Sequence, residues 1–402
     1  MNVLSVRRGR KRGVIVIMII SKRAQNISPS LTLAISAKAK KMQEDGIRVI
    51  NFSVGEPDFN TPTYIIEAAK KAMDKGATKY TPVSGIVQLR QAICAKLKKD
   101  NNLVYNPNQI VVNNGAKQSL FNALQAIVNP GDEVIIPAPY WLTYPELVKL
   151  CDGVPIFVDT TNFKITAKQL ESAITPKTKA FILNSPNNPT GAVYSKAEIV
   201  ALAKVVEKHN IWVISDEIYE HLNYTGERHY SIAEYSEKLY NRTIVVNGMS
   251  KSFAMTGWRV GYTASSREVA EAMQSLQSHQ TSNINTPTQW ASVESLVNPE
   301  GEKFLKDMVG TFAKRREYIA KRINAMPSVS CVIPDGAFYV MMDVSKLGKS
   351  AHAIAEVLLE KAKIATVPGE AFGAPNHIRL SYALSMEDIE KGMDALCDIL
   401  SQ

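Results

Sequence analysis

Between about residues 61 and 265 the chain alternates helix-like amphipathic stretches with short runs of β-branched and apolar residues. The clearest runs are Ile110-Val111-Val112, Val134-Ile135-Ile136, Phe181-Ile182-Leu183, Trp212-Val213-Ile214 and Ile244-Val245-Val246. Periodicity alone allows each to be a piece of buried helix. Punctuation decides for strands, because the runs end in turn-forming residues such as Asn113-Asn114-Gly115, Pro137-Ala138-Pro139 and Asn247-Gly248. Apolar strands separated by helices predict an α/β fold with a parallel sheet covered on both faces. Beyond residue 300, helical stretches over 303–326 and 351–363 surround short strands near 338–343 and 377–382. The expected organisation is a large unit over 61–299 and a smaller α+β unit over 300–402, which residues 18–60 join. The chain carries no internal repeat, low-complexity tract or long linker.

Composition adds mainly exclusions. A chain of 402 residues with 45% hydrophobic and 21% charged residues has ordinary globular character. Cys94, Cys151, Cys331 and Cys397 lie far apart without metal-ligand spacing, which argues against a disulfide framework or zinc and for a reducing, cytoplasmic setting. The net charge of +9 points to nucleic acid until it is located. Arg7, Arg8, Arg10, Lys11 and Arg12 supply five of those charges, and no basic run with interleaved aromatics follows. The apolar run from Val14 to Ile20 is too short to span a bilayer and lacks the small residues of an export signal. Residues 1–17 therefore read as an upstream extension before Met18. A transit peptide stays open, since no acid occurs before residue 44.

In open α/β sheets, ligands bind beyond the carboxyl ends of the strands. After the first run come Asn114-Gly115-Ala116-Lys117, a small-residue turn into a helix whose free N–H groups would attract phosphate. After the second come Tyr140-Trp141, an aromatic face for a planar ligand. The third leads into Asn184-Ser185-Pro186-Asn187-Asn188-Pro189-Thr190-Gly191, longer and more polar than a connector needs. The fourth ends in Ser215-Asp216-Glu217-Ile218-Tyr219, where a buried acid requires a cationic partner. The fifth precedes Ser250-Lys251, with Arg259 eight residues on. Each has an ordinary structural explanation alone. Together, a lysine for a Schiff base, an acid for a pyridinium nitrogen and an arginine for phosphate describe a pyridoxal-phosphate site.

These residues, with Val54-Gly55-Glu56-Pro57-Asp58-Phe59, Tyr80-Thr81-Pro82 and Arg379-Leu380-Ser381-Tyr382-Ala383, occur in the order and spacing of a known family. Over about residues 25–400 the chain resembles the class I/II aminotransferases, pyridoxal-phosphate enzymes of fold type I. The resemblance implies a mostly parallel seven-stranded sheet between helices, plus a smaller α+β domain. It implies that Lys251 carries the cofactor and then the proton, while Asp216 pairs with the ring nitrogen. Asn188 and Tyr219 would bind the phenolic oxygen and Trp141 would stack on the ring. Gly115, Ala116, Ser250 and Arg259 would hold phosphate, joined by Tyr80 of a second subunit in a homodimer with shared sites. Arg379 and the Gly55 backbone would take the substrate α-carboxylate. Many members carry a serine at the position of Gly248, so Ser250 or a backbone donor is expected to compensate.

Gly115-Ala116-Lys117-Gln118 and Thr32 further resemble the bacterial branch of aspartate aminotransferases. There the lysine and threonine meet the distal carboxylate, and some members also use prephenate. The implied partners are amino acids and 2-oxo acids, not nucleic acid or membrane. Two alternatives remain at this point. One is a related lyase of the aminocyclopropane-carboxylate type. The other is a regulator, for which residues 1–24 are too short to hold a DNA-binding module.

Overall fold

The computed structural model describes residues 20–400; the expected extension over residues 1–17 lies outside the described residues. In chain order the strands are β1 (Ile50–Asn51), β2 (Ile110–Asn113), β3 (Glu133–Ala138), β4 (Val154–Asp159), β5 (Thr178–Asn184), β6 (Trp212–Asp216), β7 (Thr243–Gly248) and β8 (Gly261–Ala264). The C-terminal part adds β9 (Ser330–Cys331), β10 (Tyr339–Asp343), β11 (Ile364–Ala365), β12 (Val367–Pro368) and β13 (His377–Ser381).

Strands β2 to β8 form one seven-stranded sheet in the order β2-β8-β7-β6-β5-β3-β4. All neighbouring pairs are parallel except those of β8, which runs antiparallel to both β2 and β7. Alternate side chains enter opposite layers. Val134 and Ile136 of β3 pack with Leu120 and Leu124 of the helix Ala116–Ile127. Ile135 between them packs with Ile199, Leu202 and Val206 of the helix Lys196–His209. Both faces are covered, which is why these strands read as unbroken apolar runs. The helix Lys196–His209 starts at a Ser195/Glu198 capping box, so its boundary follows from local hydrogen bonding.

Two strands of this sheet lacked a sequence expectation. β8 is Gly-Tyr-Thr-Ala, with no apolar run, and is a strand because β2 and β7 pair with it on both sides. β4 is the sheet edge; it contains Pro155 and exposes Val154 and Phe157, so it lacks the signature of a covered strand.

Strands β9, β10, β12 and β13 make an antiparallel sheet in the order β12-β13-β10-β9. The stretches expected as helices over 303–326 and 351–363 are helices at Glu300–Asn324 and Ala351–Lys361. β1 pairs in parallel with β11, drawing the N-terminal segment onto the C-terminal elements. One apolar cluster joins Phe52, Phe312, Phe338, Ile378 and Leu380 to Tyr219 and Leu222, which follow β6. The smaller sheet is thereby packed beside the carboxyl ends of the larger one. No described helix is long and apolar enough to cross a membrane.

Candidate active site

β2, β3, β5, β6 and β7 point their carboxyl ends to one edge of the large sheet, and the chemistry collects there. At the end of β2, Gly115 caps the helix Ala116–Ile127 with no side-chain hydrogen bond, leaving first-turn N–H groups available. Its φ of 81° and ψ of 160° belong to a region that only glycine enters readily. A Cβ there would stand 2.4 Å from Nη2 of Arg259. Arg259 itself has φ 59° and is held by the carbonyls of Thr256 (3.0 Å) and Asn114 (3.4 Å). A helix N-terminus and a guanidinium thus converge, and the hydrogen-bond partners of Arg259 are carbonyls, not acids. Such an arrangement suits an anion.

Lys117, in the first turn of that helix, leans its ammonium over the Trp141 ring at 5.1 Å. Burial of the ammonium and then the Arg259 charge lower its pKa. The chain turns at Trp141 into the helix Thr143–Leu150, and Tyr144 in that helix packs edge-on against the Trp141 ring at 5.5 Å. The Tyr144 phenol donates to Oδ2 of Asp216 at 2.7 Å. Asp216 closes β6, is 3% exposed, and accepts its other contact from the Ile218 N–H at 3.3 Å. Burial raises its pKa to about 6.

Lys251 lies in the loop after β7, its ammonium donating to the Gly55 carbonyl and sitting 5.9 and 5.8 Å from the Tyr219 and Phe338 rings. Its pKa is lowered to about 8, chiefly by burial and with the help of the Arg259 and Arg379 charges, against the opposing charges of Glu56 and Asp216. Tyr219 shares a 3.0 Å hydrogen bond with Tyr339. The segment 184–191 is buried throughout; Asn184 Oδ1 accepts from the Asn188 N–H at 2.9 Å, and Asn184 Nδ2 donates to the Asp216 carbonyl at 2.9 Å.

Arg379 in β13 is 3% exposed, and its Nη1 and Nη2 donate to Asn188 Oδ1 (3.1 Å) and the Ser53 carbonyl (2.9 Å). Its Nε finds no partner, and burial lowers its pKa. An enclosed charge left uncompensated costs about 3–5 kcal/mol, so a guanidinium held this way is prepared for an incoming carboxylate.

The structure therefore brings together Gly55, Gly115, Ala116, Lys117, Trp141, Asn188, Asp216, Tyr219, Lys251, Arg259 and Arg379. The three other expected residues are Tyr80, Thr32 and Ser250, the last directly preceding Lys251. Tyr80 is 88% exposed on this chain. Thr32 is part-buried, with its hydroxyl on Ser30 at 3.0 Å. Ser250 is buried, 6% exposed. The glycine at 248 has a steric cause: a Cβ there would lie 2.6 Å from the Val260 carbonyl and 2.8 Å from Gly261 Cα, where β7 and β8 pair. Tyr144, Phe338 and Tyr339 were not expected. Only the spacing of Tyr144 three residues after Trp141 could have pointed to it, as one helical turn.

With this geometry in place, similarity to known proteins is informative. Residues 47–396 match the family model described as aminotransferase class I and II. An aspartate aminotransferase of Bacillus sp. (strain YM-2) is 48% identical over 94% of this chain and 98% of its own length. An aspartate/prephenate aminotransferase of Thermus thermophilus is 43% identical over 95% of this chain and 99% of its own. The solved structure of the Thermus thermophilus aspartate aminotransferase with maleate superposes with a TM-score of 0.92 at 42% identity, covering 95% and 100% of the two chains. The Lys251 loop, the Asp216 strand end and the Arg379 guanidinium thus lie within a chain that belongs to the class I and II aminotransferases.

Proposed function

We propose that this enzyme is an aspartate aminotransferase that moves the amino group of L-aspartate to 2-oxoglutarate, giving oxaloacetate and L-glutamate. The observation that carries this reading is a pair of site cations, Arg379 and Lys117, whose observed contacts are neutral groups. A dicarboxylate supplies the two charges they lack. The maleate in the Thermus thermophilus structure is such a dicarboxylate.

The residues also fit pyridoxal phosphate, the cofactor of this family. Arg259, Gly115 and Ala116 would hold its phosphate, Trp141 its face, Asp216 its ring nitrogen, and Asn188 with Tyr219 its phenolic oxygen. Bound there, it would supply an aldehyde carbon to take the amino group and a ring that withdraws electrons from the substrate Cα. Lys251, with a pKa of about 8, is a base able to take the Cα proton near neutral pH. Arg379 would orient the α-carboxylate and Lys117 the distal one, so the Cα–H is presented to Lys251 Nζ. Donor and acceptor share this pocket in turn, which requires ping-pong kinetics.

The exposed Tyr80 supports a homodimer whose subunits complete each other's phosphate sites. A large unit over 61–299 and a small one over 300–402, joined by the N-terminal segment, would let the Arg379 sheet move against the Lys251 loop. A cytoplasmic setting accords with four cysteines that lie far apart in the chain without metal-ligand spacing. Prephenate is a second substrate to test, because Lys117 is exposed, which leaves its side chain adjustable, and relatives such as the Thermus thermophilus enzyme carry that name. The deciding experiment incubates the protein with L-aspartate and no oxo acid. One oxaloacetate per site supports the reading; ammonia release, or turnover of S-adenosylmethionine instead, would refute it.

A further inference from the structure

We propose that Tyr144 is a positioning residue for the cofactor ring: its phenol keeps Asp216 ionised and engages Oδ2 closely, so that Oδ1, which accepts only a long backbone contact, takes the protonated ring nitrogen. This rests on the pyridoxal-phosphate reading above.

The geometry is specific. The Tyr144 hydroxyl is 2.7 Å from Oδ2 in a setting where Asp216 is 3% and Tyr144 2% exposed. It is the sole side-chain hydrogen bond to this carboxylate among the described residues; Oδ1 accepts only the longer 3.3 Å contact from the Ile218 N–H and keeps a lone pair for a second donor. Burial and the adjacent acid drive the phenol pKa well above its usual value, so the hydroxyl stays a donor. The other charged or titratable neighbours are Glu217 and Tyr219 beyond β6 and Lys251 beyond β7; the Glu217 charge raises the acid's pKa and the Lys251 charge lowers it. Glu217 is itself held away by Ser215 and Ser231.

A buried carboxylate and a pyridine nitrogen are bases of comparable strength competing for one proton. If the proton sits on Asp216, the ring loses its positive charge and most of its electron demand. One hydrogen bond to the carboxylate moves this balance toward the nitrogen by about 10- to 100-fold. Tyr144 also ties the acid to the stacking face: its N–H donates to the Trp141 carbonyl at 2.9 Å, and its ring meets the Trp141 ring edge-on at 87°. One helical turn thus fixes the ring's face and its nitrogen together.

The test loads wild-type and Tyr144→Phe proteins with pyridoxal phosphate labelled with 15N in the ring and records the nitrogen chemical shift. The expected wild-type shift is that of a pyridinium, and Tyr144→Phe moves it toward neutral pyridine. A second variant replaces Tyr144 by 4-aminophenylalanine, which keeps the shape but donates more weakly, and should fall between the two. Should Tyr144→Phe fail to fold, the second variant decides alone. A wild-type shift retained in whichever variant folds would overturn the role of Tyr144 while leaving the function intact. Failure of the wild-type protein to bind the cofactor would remove the functional reading itself.

Discussion

Arg259 and Gly115 approach so closely that no side chain fits between them: a Cβ at 115 would lie 2.4 Å from Nη2 and 2.8 Å from Cζ of the guanidinium. The approach sets that cation against the uncapped turn of the helix Ala116–Ile127, where phosphate would bind. Gly115→Ala must displace Arg259 and also strain a backbone at φ 81°. The expected result is roughly tenfold or greater loss of pyridoxal-phosphate affinity. A stability cost of about 1–3 kcal/mol should accompany it. Spectroscopic titration of the apoenzyme and a denaturant melt measure the two separately. Unchanged affinity would show that Arg259 does not bind the phosphate.

Lys251→Ala should abolish transamination, by at least about 10⁴-fold, while the protein stays folded, since the side chain is a proton carrier and no packing element. Its amine should also titrate anomalously. With a pKa lowered to about 8 by burial, the apoenzyme amine is half neutral near pH 8, where an exposed lysine is almost wholly charged. Labelling by an amine-selective reagent across pH, read at the Lys251 peptide by mass spectrometry, should show that midpoint. A midpoint near 10 would contradict the enclosure described above.

Much of this site was legible in the sequence because it hangs on strand ends. Asp216 and Lys251 each follow an apolar run that its closing turn residues mark as a covered strand, so their polarity was conspicuous. Arg379 was legible through its motif alone, as nothing local in β13 distinguishes it from a surface arginine. Tyr144 was hidden because a buried tyrosine in a helix looks like core, and only the fold brings Asp216 to its hydroxyl. β8 was invisible for a related reason: its strand character comes from neighbours 100 or more residues away in β2 and adjacent in β7, not from its own Gly-Tyr-Thr-Ala. The glycine at 248 became intelligible only with that pairing, since its Cβ would strike the partner strand.

Lys117→Ala distinguishes a side-chain reader from a solvated surface lysine. Its ammonium lies over Trp141 and its pKa is lowered, first by burial. If it meets the distal carboxylate, kcat/KM should fall roughly 10- to 100-fold for aspartate and glutamate, the value of one hydrogen bond to a charged group. Aromatic donors, which lack that carboxylate, should change by less than about threefold. Equal losses on both would assign Lys117 to the cofactor site instead.

Asp216→Asn probes the acid through stability, without any turnover. Folding raises the Asp216 pKa from 3.8 to about 6 by burial, so between those values the native apoenzyme binds more protons than the unfolded chain. Stability from this group is therefore complete below about pH 4 and is lost as pH rises through 6. Asparagine carries no such penalty and can still accept from Tyr144. The stability of the Asp216→Asn apoenzyme relative to wild type should accordingly rise between pH 4 and 6, by up to about 3 kcal/mol. Denaturant melts at several pH values measure this difference, in which all other titrating groups cancel. Pyridoxal phosphate should abolish the rise in the holoenzymes, because a ring nitrogen sharing its proton with Asp216 stabilises the carboxylate that burial disfavours. A pH-independent difference in the apoenzyme pair would mean that Asp216 is already ionised at low pH and needs no cation from the cofactor.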